Sequence, residues 1–380
     1  MGYFGAVQGF FIPLFSLNLT YYYLFEYWKE NADNNKHLSF QLNFLTTSNI
    51  LISAVSFIII YLYFKILNIN IPLFPYVFII ILNLFFEKYR AYYFLECRLN
   101  KQGLRFFIFN AIQVISSTLF SLLLVVVYRM GAVGRLGGQT ISLLILSIVA
   151  VYIFRKEAQY KFSFKFDFNK VKKALKFSYP LILAAYLYYP INNLDRLLLE
   201  RLNKTNEFGY YNLGATIAGF VGTFFITLYM AFEPDFYKYT AQRDVKKYLK
   251  LSGLYIFILT GFTVVTIFVS NYAVAFLTSH RYMESTKYVN IFVISMYFYS
   301  VGNMFEQLFS SLNATKLTLY RTFIIAVISI GSYLLMIKHF EFIGASESRV
   351  IIFFLYLIVG LILFIWKFKN SLPLLKKALL

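Results

Sequence analysis

The sequence predicts an all-α protein, a polytopic transmembrane bundle of about eleven helices in two lobes. Three observations predict it. The composition is 59% hydrophobic and only 14% charged, far from that of a chain that folds in water. Apolar stretches of about twenty residues, the length that crosses a hydrocarbon core, recur from end to end. Basic residues collect in alternate connections between those stretches, as they do where a membrane fixes orientation.

Taken in order, the spans fall at about 4–25, 43–65, 72–94, 104–127, 136–154, 177–199, 209–232, 250–272, 288–309, 317–337 and 349–367. The first has no basic region before it and runs to about twenty residues, so it is retained rather than cleaved as a signal peptide. The connections are short except 155–176, where Arg155, Lys156, Lys161, Lys165, Lys170, Lys172, Lys173 and Lys176 face only Glu157 and Asp167. By the positive-inside rule this linker is cytoplasmic. Alternating outward from it puts 23 Lys and Arg inside and 9 outside, with Lys88, Arg90, Arg196 and Arg321 within spans. The C-terminal tail, with Lys367, Lys369, Lys376 and Lys377, is then inside and the N-terminus outside.

The net charge of +19 therefore reads as membrane orientation and attraction to anionic lipid, not as a nucleic-acid partner. Cys97 is the single cysteine, and His37, His280 and His339 are scattered without ligand spacing, so neither a cofactor nor a metal is implied. The 45 Phe and 33 Tyr accompany abundant Ile, Lys and Asn, a bias that codon usage alone produces.

A faint internal repeat runs through the chain. Gly2, Tyr3 and Phe4 open the first span as Gly209, Tyr210 and Tyr211 open the seventh. Phe86 and Glu87, then Leu99, Asn100 and Arg105, parallel Phe305 and Glu306, then Leu312, Asn313 and Arg321. A whole helix precedes Gly209 but nothing precedes Gly2. The expectation is a lobe of five helices (1–154), the basic linker (155–176) and a lobe of six (177–380), with a twelfth helix encoded in about thirty residues upstream of Met1.

The most specific stretch carries Leu175, Phe177, Tyr179, Pro180 and Leu181, then Asn192, Asn193, Asp195 and Arg196, then Glu207, Gly209, Tyr210 and Tyr211. It resembles the polysaccharide flippases, the Wzx-type branch of the multidrug/oligosaccharidyl-lipid/polysaccharide exporters. In that family the second lobe opens with a proline-bearing helix, an Asp-Arg pair and a Gly-Tyr start to the next helix. Arg90 and Ala91 resemble a second family feature, and with the linker and helix spacing the resemblance covers essentially the whole chain. The absent first helix departs from it. The resemblance implies a multi-pass protein of the bacterial inner membrane that alternates between inward-open and outward-open states. It would move undecaprenyl-diphosphate-linked oligosaccharide, such as O-antigen units for lipopolysaccharide, outward. Its partners would be that lipid-linked substrate, membrane lipids and other polysaccharide assembly proteins.

A charge at mid-span costs roughly 2.5–3.5 kcal/mol and so marks a polar cavity or a partner. Asp195 and Arg196 lie three or four residues from the outer end of their span, where snorkelling to the interface competes with a cavity role. Asn192, at i−3 from Asp195 and i−4 from Arg196, adds a polar stripe. Pro190 frees the carbonyl of Tyr186 and marks a hinge. Glu87 and Arg90 are i,i+3 neighbours in the inner half of the third span, as a structural ion pair or a substrate contact. Arg321, near the first turn of its span and close to Lys316, reads first as interfacial. Arginine holds phosphate oxygens bidentately, so Arg196 and Arg90 are the candidates to bind a diphosphate between the lobes. Gly5, Gly9, Gly214, Ala218 and Gly222, at four-residue spacing, read as packing positions.

A membrane glycosyltransferase or polymerase needs positioned acids or metal carboxylates on a substantial loop. No outer connection exceeds about fifteen residues, and Glu26, Glu30 and Asp33 of the 26–42 loop read as solvated charge, so no catalytic residue is assigned. A cation-coupled antiporter of the same superfamily is the nearer rival. Such antiporters rely on buried acids, whereas the charges within these spans lean basic.

Overall fold

The computed structural model describes residues 2–29, 33–66, 73–164 and 167–368. These residues are almost wholly helical, and no strand occurs among them. In chain order the helices are α1 (Gly2–Ser16), α2 (Leu19–Tyr27), α3 (Asn34–Ile66), α4 (Leu73–Leu99), α5 (Gly103–Leu122, continued by a π turn over Leu123–Val127), α6 (Gly131–Glu157), α7 (Phe168–Glu200), α8 (Thr205–Ala241), α9 (Val245–Thr278), α10 (Ser285–Ser311) and α11 (Thr315–Phe368).

Every expected span falls on a helix, but two boundaries differ. The first span is two helices, because Leu17 and Asn18 take positive φ (46° and 48°) and break the hydrogen-bond ladder. The tenth and eleventh are one element, α11, in which only Glu341 leaves helical geometry (φ 50°, ψ −123°). The expected 338–348 connection is therefore a one-residue corner. Its carboxylate pairs with Lys204 at 2.5 Å.

By length and composition six described helices could each cross a membrane: α3, α5 with its π turn, α6, α8, α9 and α11. At 54 residues α11 is long enough for two crossings. The helices that miss this criterion do so for a reason. α1 is short, while α4, α7 and α10 carry the buried polar groups described below. Side chains such as Phe107, Phe220, Phe257 and Phe268 stand exposed on the outer faces, as lipid-facing residues do.

The chain forms two compact units, Met1–Ile182 and Leu183–Leu380, with the border inside α7 rather than at the basic linker. In the first unit α4 is the hub, packed against α1, α3, α5 and α6. In the second α10 takes that place against α8, α9 and α11. The corner after each hub is closed alike. Gln102 N donates to Cys97 O (2.8 Å) with Lys101 at φ 55°, and Ala314 N donates to Phe309 O (2.7 Å) with Asn313 at φ 57°. The same closure also ends α8 and α9, where Asp244 N donates to Tyr239 O (3.0 Å) and His280 N to Ala275 O (3.1 Å), so it is a common helix end in this chain rather than a mark of the repeat.

The core of the second unit is aromatic, with Tyr211, Tyr255, Phe292, Tyr333 and Tyr356 almost wholly buried. Gly214 sets the α8–α10 distance: a Cβ there would sit 2.6 Å from Tyr288 Cβ and 3.1 Å from Ser285 O. Gly214→Ala is expected to destabilise by about 1–3 kcal/mol through overpacking. Gly209→Ala, where a Cβ meets nothing within 4 Å, is the control. Melting curves of the purified protein would separate them, and equal shifts would remove Gly214 from the packing argument. On the loop expected to be solvated, Glu26 pairs with Lys29 (2.5 Å) and Asp33 with Lys36 (2.8 Å). Glu30 lies outside the described residues.

Candidate functional site

Three polar clusters among the described residues hold the charged candidates within the helical segments. The first is in α4. Glu87 and Arg90 share a face at i,i+3, and their side chains meet through two hydrogen bonds. Arg90 Nε donates to Glu87 Oε2 at 3.0 Å, and its terminal nitrogen donates to Glu87 Oε1. The other terminal nitrogen donates to Gln113 Oε1 of α5 at 3.0 Å. The pair stays partly open, with 24% of the Arg90 side chain and 39% of the Glu87 side chain exposed. Their neighbour Lys88 is buried, donates to Phe85 O (2.7 Å) and lies over the Phe85 ring at 3.6 Å. Lys88 has no ion-pair partner among the described residues.

The second cluster gathers on α7, α8 and α11. Asn192 and Asp195, one turn apart on α7, face Arg349 of α11, which approaches Asp195 Oδ2 at 3.5 Å and Asn192 Oδ1 at 3.4 Å. Tyr211 OH of α8 donates to the same Asp195 oxygen at 2.5 Å. Asp195 is fully buried and its Oδ1 has no hydrogen-bond partner. The arginine beside Asp195 is thus Arg349 and not its chain neighbour Arg196. Consecutive helical residues point about 100° apart, and Arg196 is exposed. Just before this face comes Pro190, where Asn192 Nδ2 and Asn193 Nδ2 donate to the carbonyls of Tyr188 (3.0 Å) and Tyr189 (3.2 Å).

The third cluster corrects the interfacial reading of Arg321. That side chain is fully buried. It donates to Gly302 O at 2.9 Å, approaches Glu306 Oε2 at 3.4 Å and bonds Tyr356 OH, over whose ring the guanidinium lies at 3.8 Å. Tyr188 OH and Tyr356 OH each donate to Glu306 Oε2, at 3.0 and 3.1 Å. Gly302 and Gly360 make the room. A Cβ on Gly302 would meet the Tyr356 ring at 2.6 Å, and one on Gly360 would meet an Arg321 nitrogen at 3.2 Å.

Of the charged residues in these clusters, Lys88, Glu306 and Arg349 were not site candidates from sequence. Arg349 looks peripheral at the edge of an apolar run. Its signal is the spacing Arg349, Phe353, Tyr356, Gly360, one helical face of i, i+4, i+7 and i+11. The buried charges also balance more evenly than the sequence suggested, since Asp195 and Glu233 are as buried as Lys88 and Arg321.

The architecture is that of a known class of membrane transporter. A solved multidrug resistance MATE family transporter of the MOP superfamily, in an outward-facing conformation, aligns with a TM-score of 0.77 at 15% identity, over 99% of this chain and 87% of that one. The Vibrio cholerae MATE transporter VcmN in its bent form aligns at 0.73 and 13%, over 99% and 89%. A MOP superfamily transporter from Pyrococcus furiosus, whose binding pocket is described as reversed in polarity, aligns at 0.72 and 13%, over 98% and 87%. The chain therefore has the fold of the MOP-superfamily membrane transporters. The sequence profile of the family described as "Polysaccharide biosynthesis protein" matches residues 6–240, and the chain belongs to that family. No curated protein matches it.

Proposed function

We propose that this protein is a flippase of the bacterial inner membrane that carries lipid-diphosphate-linked oligosaccharide outward by alternating access. The observation that carries the reading is the polysaccharide biosynthesis family match over residues 6–240, joined to arginines placed within the spans. A diphosphate cannot cross about 30 Å of hydrocarbon uncompensated, so fixed cations must meet it along a water-accessible path. We assign Arg90 to the inner half of that path, beside Glu87, and Arg196 to the outer half, beside Asn192, while the buried Asp195 holds Arg349 in place. Arg321 is committed to Glu306, Gly302 and Tyr356 and supports the wall rather than binding phosphate. Pro190 serves as the hinge of α7.

Proteoliposomes loaded with a fluorescent lipid-diphosphate oligosaccharide test this directly. Transport is expected, and Arg90→Ala and Arg196→Ala are each expected to slow it roughly tenfold or more, the scale of one or two charge-assisted hydrogen bonds. Both variants transporting at the parental rate would remove these residues from the mechanism.

The second reading, a cation-coupled small-molecule antiporter, is favoured by the MATE fold and by the buried Asp195 and Glu233. It predicts efflux of a cationic dye driven by an ion gradient, with no movement of the lipid-linked substrate.

A further inference from the structure

The stretch that joins α6 to α7 is held where it leaves α6 and carries exposed aromatic rings beyond that point. Tyr160 is buried, its OH donating to Asn43 Oδ1 at 3.0 Å, while Asn43 Nδ2 donates to Lys161 O at 3.0 Å. These bonds tie the chain to the start of α3. Beyond them Phe162 and Phe164 pack edge to face at 4.7 Å and stand 44% and 63% exposed. Phe168, at the head of α7, is 80% exposed. Asp167 starts that helix, its Oδ1 accepting from Asn169 N at 2.9 Å.

The first turns of α7 divide sharply. Ala174, Phe177 and Leu181 are buried, and Phe177 stacks on Phe25 at 5.3 Å and meets Tyr22 at 5.4 Å. The opposite arc, at i, i+4, i+7, i+8 and i+11, holds Phe168, Lys172, Leu175, Lys176 and Tyr179, with Lys173 beside it, all exposed. Phe168 is four positions after Phe164 in the chain, so their α-carbons lie within about 14 Å of each other. An apolar band flanked by lysines is the pattern of an interfacial anchor: rings enter the acyl boundary while ammonium groups stay among headgroups.

We propose that this surface binds anionic phospholipid. Phe162, Phe164 and Phe168 enter the cytoplasmic leaflet, and Lys172, Lys173 and Lys176 contact acidic headgroups. Charge complementarity selects the occupant. No acidic side chain lies on the exposed arc, and lysines near a surface of acidic lipid are drawn to it within a Debye length. The consequence is a seating of α7 that depends on leaflet composition, whatever the transported molecule is.

The test places a nitroxide at Phe164→Cys in a Cys97→Ala background. It compares the label's accessibility to oxygen with that to a water-soluble nickel reagent, in vesicles of phosphatidylcholine with or without phosphatidylglycerol. The oxygen-to-nickel ratio should rise at least about twofold when phosphatidylglycerol is present. Combining Lys172→Gln, Lys173→Gln and Lys176→Gln should abolish the rise. A label equally water-exposed in both vesicles overturns the proposal. So does one equally lipid-buried in both and indifferent to the lysines, because acidic lipid then plays no part. Inorganic phosphate reproducing the shift in neutral vesicles would assign the lysines to a free anion and also overturn it.

Discussion

Arg321→Leu is expected to destabilise the second unit by about 3–5 kcal/mol, the cost of leaving one member of a buried ion pair without its partner. The variant strands Glu306, which otherwise receives Arg321, Tyr188 and Tyr356. Adding Glu306→Leu should recover most of the loss, because two apolar groups in place of a buried pair are often neutral. Chemical or thermal unfolding of the four proteins forms a double-mutant cycle that reads the coupling. A snorkelling arginine would give a single-variant change within about 0.5 kcal/mol and no coupling, which would return Arg321 to the interface.

The second large effect separates two adjacent residues of α7. Asp195→Ala should cost about 3 kcal/mol or more, because Arg349 loses its one anionic partner among the described residues and Tyr211 OH loses its acceptor. Arg196→Ala should stay within about 0.5 kcal/mol, since Arg196 is exposed and has no ion-pair partner among the described residues. Arg196→Ala should nonetheless slow transport, so stability and rate diverge at one position and fall together at its neighbour. Equal stability losses at the two positions would sink the assignment of Arg349 as the partner of Asp195.

What the sequence makes legible follows from the range of each interaction. The spans are readable because each is a long apolar run, and the i,i+3 pairs Glu87 with Arg90 and Asn192 with Asp195 are readable because helical spacing fixes which side chains share a face. Helix ends are not. α8 has 37 residues and so is about 55 Å long, and its ends pass out of the hydrocarbon into polar sequence that hydropathy treats as loop. The break at Asn18 has no adjacent glycine or proline to mark it, and the one at Glu341, inside the expected 338–348 connection, is confined to a single residue. Partners far along the chain were equally silent. Arg349 lies 154 residues from Asp195, and only the fold brings α11 against α7. Arg321 misled because its place near a helix start suggests an interface, while the glycines that open a buried slot for it, Gly302 on α10 and Gly360 in the far half of α11, lie distant in sequence.

The corner at Glu341 also constrains position 344. Gly344 lies so close under Met336 that a Cβ would stand 2.2 Å from its carbonyl oxygen, so the two halves of α11 are joined with no slack. Ser348 Oγ donates to Ser332 O across the same corner at 3.3 Å, so a residue larger than glycine at 344 would have to pry apart the two halves that meet there.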